Sequence, residues 1–109
     1  MTIHIEALTL DIIIGLLDFE REHTQRVIID MTADYAYNEE SFVDYGDIVI
    51  LIEKELKEKR YELLEEALLG LKSIITSTYP QITDLTLKIT KPNILPQCHV
   101  ALSNHWILN

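Results

Sequence analysis

The chain has 109 residues, enough for one domain around one core and too few for two. With 48% hydrophobic and 25% charged residues, its composition is that of a globular protein and excludes a disordered one. The formal net charge is −9 with no run of five or more like charges, so the acidity is spread over the surface, which argues against nucleic acid or an anionic membrane as the main partner.

Cys98 is the single cysteine, so no intrachain disulfide can form, which fits a reducing compartment. Met1–Glu6 shows no basic stretch followed by an apolar core, and no secretory signal is expected there. The most apolar run, Ile12–Leu17, is far short of the roughly 20 residues that span a bilayer. A cytoplasmic protein is expected.

Residues 2–14 predict a strand in which Ile3, Ile5 and Ala7 alternate with His4 and Glu6. Gly15 breaks it, and 15–24 reads as a charged loop. A second strand is predicted over 25–37, with Val27, Ile29, Met31, Ala33 and Tyr35 on one side and Asp30, Thr32 and Asp34 on the other. A short connection makes these two an antiparallel pair. Asn38–Ser41 reads as a turn.

A helix follows over 44–59, its stripe made by Ile48, Leu51, Ile52 and Leu56. Another covers 62–78, where Leu64, Ala67, Leu68, Leu71 and Ile75 form the inner face and Pro80 ends it. Strands over 82–90 and 99–108 flank a loop that begins at Lys91-Pro92. The order ββααββ predicts an α+β domain, a four-stranded antiparallel sheet with both helices on one face. Such a small sheet with open edges is expected to oligomerise.

Glu20 in the first loop, Tyr45 at a helix start, Glu65 early in the next helix and Lys91 at a strand end stand where functional groups gather on a rigid frame. Each also has a plain structural reading. Glu20 and Lys91 could be solvated charges, and Tyr45 a packing aromatic. Glu65 could simply complement the macrodipole. Composition and spacing alone do not select these four.

A metal site is not expected. His4, His23, His99, His105 and Cys98 include no i, i+4 helical pair, and no Cys-x-x-Cys exists. Nothing nominates a base for Cys98. Three glycines, at 15, 46 and 70, are too few for a glycine-rich phosphate loop.

Read in order, four segments resemble the signatures of the dihydroneopterin aldolases. They are Ile14-Gly15 with Asp18-Phe19-Glu20-Arg21 and Gln25, then Val43-Asp44-Tyr45-Gly46, Leu63-Leu64-Glu65 and Ile89-Thr90-Lys91-Pro92. Each is weak alone, and four in register over nearly the whole chain are specific. The resemblance implies the tunnelling fold, in which ββααββ units close into a barrel as tetramers or octamers with active sites between subunits.

It also implies the roles. Glu65 would anchor a pterin, with backbone groups near Leu64 completing the edge and Val43 and Asp44 contributing backbone contacts. Lys91 would be the general base, Tyr45 would cap the ring and help deliver a proton, and Glu20 would position. The implied reaction is retro-aldol cleavage of 7,8-dihydroneopterin, with no metal, Schiff base or other cofactor. Epimerisation of dihydroneopterin or its triphosphate is an alternative, as is a silent member that binds a pterin or purine. Nine Lys and Arg offer little for a triphosphate and favour the unphosphorylated substrate.

Overall fold

A computed structural model describes residues 1–108. The elements are β1 (Thr2–Ile12), α1 (Asp18–Glu22), β2 (Gln25–Tyr35), α2 (Tyr45–Lys59), α3 (Leu64–Thr78), β3 (Ile82–Lys91) and β4 (Val100–Ile107). The strands form one sheet in the order β1-β2-β3-β4 with every neighbouring pair antiparallel. The expected ββααββ arrangement is therefore present, with one addition. The segment 15–24 is not wholly loop, because α1 occupies its centre.

The core lies between the helices and one face of the sheet. Val27, Ile29, Met31 and Ala33 of β2 and Leu85, Leu87 and Ile89 of β3 meet Ile48, Ile52 and Leu56 of α2 and Ala67, Leu68, Leu71 and Ile75 of α3. Period two on the strands and 3.6 on the helices put these residues on facing surfaces. Truncating a fully buried member such as Ile52 to Ala should cost about 2–5 kcal/mol.

β1 corrects the expected alternation. Ile3 and Ile5 lean inward, but Ala7 is exposed with φ +56°, and the register with β2 shifts between Ile5 and Leu8. The bulge inserts a residue, so Leu8, Leu10 and Ile12 take over the inward face. The amide of Ala7 donates to Asp30 Oδ1 at 2.9 Å. The strand also stops at Ile12, two residues short of the expected end, and β2 stops at Tyr35 instead of 37.

The helices run antiparallel. Asp44 caps α2, its Oδ1 accepting from Gly46 N at 3.0 Å and Asp47 N at 3.3 Å. Arg60 ends the helix in the left-handed region at φ +48°. At the other end of the pair, the Tyr79 hydroxyl donates to Asp47 Oδ2 at 2.8 Å, which ties the end of α3 to the first turn of α2. Among the described residues, no helix is long and apolar enough to cross a membrane.

Candidate active site

Lys91 closes β3, opposite Val100 of β4. Its ammonium donates to Glu20 Oε2 at 2.7 Å, although the two residues are 71 apart in sequence. Both side chains are withdrawn from solvent, Glu20 at 4% and Lys91 at 10% exposure. Gln25, which opens β2, donates from Nε2 to the same Glu20 oxygen at 2.8 Å and to Ile14 O at 2.7 Å.

The second oxygen of Glu20 shapes α1. Leu17 precedes this helix and has no side-chain acceptor to cap it. Glu20 supplies the reverse half of a cap, its Oε1 accepting from Leu17 N at 3.2 Å. Burial by itself pushes the Glu20 carboxyl up. Hydrogen bonds from Lys91, Gln25 and the Leu17 amide, with the charge of Lys91, outweigh that and hold it below the ordinary carboxylate value. A cleft of about 180 Å³, lined by Glu20, Gln25, His23, Thr24 and Asn93 among others, opens beside the carboxylate.

Glu65 lies in the first turn of α3, exposed, and Leu64 is half-buried before it. With Leu68, Leu69, Leu102 and Trp106, Glu65 lines a separate groove of about 290 Å³ between α3 and β4. Only three residues separate α3 from β3, so the helix and strand run in opposite directions. The start of α3 therefore lies at the same end of the sheet as Lys91.

Tyr45 lies elsewhere. It is the first residue of α2, 68% exposed, and it is the far end of α2 that leads into α3. Fifteen helical residues span about 22 Å, so within one chain Tyr45 is a helix length away from the Glu65 end. The Val43 side chain is part of the core at 5% exposure, and the Asp44 carboxylate is committed to capping α2. Their backbones and the second oxygen of Asp44 are left for a ligand.

One chain thus brings Glu20 and Lys91 into contact, sets Glu65 at the same end in its own groove, and holds Tyr45 apart. Gln25 appears in the sequence signature without a role, yet it makes one of the bonds that hold Glu20 and is itself anchored at the Ile14 carbonyl. Its signal was a polar residue opening an apolar strand. Among the described residues no group of three or more His, Cys, Asp or Glu side chains is placed to hold a metal ion.

The sequence model of FolB, dihydroneopterin aldolase, matches residues 3–103. The chain belongs to the dihydroneopterin aldolase family. Solved members superimpose closely, which carries the fold. The FolB protein of Vibrio cholerae is 19% identical with a TM-score of 0.88, the match covering 98% of this chain and 97% of that one. E. coli dihydroneopterin aldolase, in complex with neopterin, is 17% identical at TM-score 0.88, covering 97% and 98%. The Burkholderia enzyme bound to guanine is 15% identical at 0.81, covering 100% and 92%. No curated protein matches the sequence.

Proposed function

We propose that this family member cleaves 7,8-dihydroneopterin by a retro-aldol reaction to 6-hydroxymethyl-7,8-dihydropterin and glycolaldehyde. The supporting observation is the buried Glu20–Lys91 contact of 2.7 Å beside an open cleft. A buried ion pair is a poor source of stability, since well-packed apolar replacements are often as good. A buried carboxylate–ammonium contact whose Glu20 lines a cleft is better accounted for by chemistry.

The pterin edge donates two parallel hydrogen bonds to the Glu65 carboxylate, with backbone groups at Leu64 completing the contact. Lys91, acting through a water, takes the proton of the side-chain 2′ hydroxyl and supplies it later to C1′. Glu20 holds the amine in place through the 2.7 Å contact. The C1′–C2′ bond breaks, its electrons pass into the ring imine, and glycolaldehyde leaves. Protonation of C1′ then completes the product. Re-addition of the aldehyde from the other face would give the epimer, so both outcomes share the first step.

Tyr45 reaches this chemistry from a neighbouring copy. The helix length between it and the Glu65 end supports a shared site, with backbone contacts from Val43 and Asp44 coming from the same neighbour. A homo-tetramer or homo-octamer would supply it, closing the β1 and β4 edges of the sheet.

The test is to incubate purified protein with 7,8-dihydroneopterin and follow the two products. Wild type that forms neither, and no epimer, removes the assignment. Mixing inactive Tyr45→Ala and Lys91→Ala chains should restore part of the activity through hybrid sites. No recovery, or a monomer by light scattering at micromolar concentration, contradicts the shared site.

A further inference from the structure

Glu20 belongs to the β1–β2 connection and Glu65 to α3, so a reaction that uses both needs those elements held at a fixed separation. They are joined at the Tyr61 carbonyl. That oxygen accepts from Gly15 N at 3.0 Å and from Arg21 Nη1 at 3.3 Å, and the same nitrogen donates to Gly15 O at 3.2 Å. Tyr61 is itself fixed to both long helices. Its hydroxyl donates to Glu55 of α2, and a Cβ on Gly70 of α3 would come within 2.0 Å of it. Tyr61 lies just before Leu63, the residue from which α3 begins.

We propose that Arg21 is a positioning residue that sets the distance between the Glu20–Lys91 pair and the Glu65 anchor. The inference rests on the roles given to those three groups above. The plain alternative is a solvated charge in a charged loop. Against it, Arg21 is half-buried and its guanidinium bridges two carbonyls, one on each side of the junction. One Nη1 of a planar, weakly hydrated guanidinium serves both carbonyls, and a strongly hydrated lysine ammonium on a flexible stem holds the same place less well. Bonds from a charged donor are also the stronger kind.

The variants Arg21→Ala and Arg21→Lys, in the assembled protein, test this by two readouts. The first is amide hydrogen exchange at Gly15 and Leu17, which reports the Gly15–Tyr61 and Leu17–Glu20 bonds. In Arg21→Ala it should quicken by about tenfold or more, with Leu71 in the centre of α3 unchanged. The second separates catalysis from binding. The kcat for 7,8-dihydroneopterin should fall roughly tenfold to hundredfold, while Kd for neopterin, an aromatic pterin that cannot be cleaved, stays within about twofold. Arg21→Lys should fall between wild type and Arg21→Ala. Unchanged exchange at Gly15 and Leu17, or kcat and Kd that worsen together, overturns the proposal. Quickened exchange in a protein whose wild type does not cleave the substrate supports the clamp and removes the aldolase reading instead.

Discussion

The carboxylate of Glu20 fills the space in which Gly15 would carry a side chain. A Cβ built on Gly15 would lie 2.1 Å from Glu20 Cδ, and Gly15 has φ +128°, where L side chains are strained. The glycine of the first signature is thus required twice, by its own backbone and by the carboxylate that holds Lys91.

Gly15→Ala should therefore destabilise the fold by at least about 1–3 kcal/mol from backbone strain, and should also push Glu20 off Lys91. Denaturant unfolding checks the first effect and loss of turnover in the folded fraction checks the second. A variant with wild-type stability and rate contradicts this geometry.

Acid should reveal the Glu20–Lys91 contact. The folded carboxyl is held below its ordinary value of 4.5, so its contribution is fully present above that pH and is lost as pH falls through the lower folded value. Wild type should lose an increment of stability below pH 4.5 that Glu20→Gln never had. Parallel acid-unfolding curves for the two proteins contradict it.

Alkali should single out two tyrosines. Burial first, and then hydrogen bonds to Glu55 and Asp47 and nearby negative charge, push Tyr61 and Tyr79 up to about 12 from 10.0. Their contribution to stability is complete below pH 10 and disappears as pH rises through 12. Two of the five tyrosines should titrate near pH 12 by phenolate absorbance. One transition near pH 10 for all five contradicts the assignment.

Much of the fold was legible in the sequence because its signals are local. Val27 to Ala33 alternate, and Ile48, Ile52 and Leu56 keep a helical stripe, so strands and helices announce themselves. The bulge at Ala7 carried no glycine to mark it. α1 is only five residues long, too short to persist alone, and it depends on the Glu20 cap and its distant partner Lys91. The types of the site residues could be read only through the family signatures. The contact between Glu20 and Lys91, and the backbone carbonyl of Tyr61 that ties the loop to the helices, are products of tertiary structure. A carbonyl leaves no mark in a sequence.

Turnover by the proposed route depends most on Lys91 handling the proton while Glu65 grips the ring. The direct measurement is single-turnover cleavage of 7,8-dihydroneopterin, with neopterin binding in parallel, for wild type, Lys91→Ala and Glu65→Ala. Lys91→Ala should retain neopterin affinity and lose about 10²–10⁴-fold in rate. Glu65→Ala should weaken binding by roughly tenfold to a hundredfold, the worth of a hydrogen-bonded charge. Folded Lys91→Ala protein that cleaves substrate at the wild-type rate, or Glu65→Ala protein that binds neopterin as tightly as wild type, would contradict it.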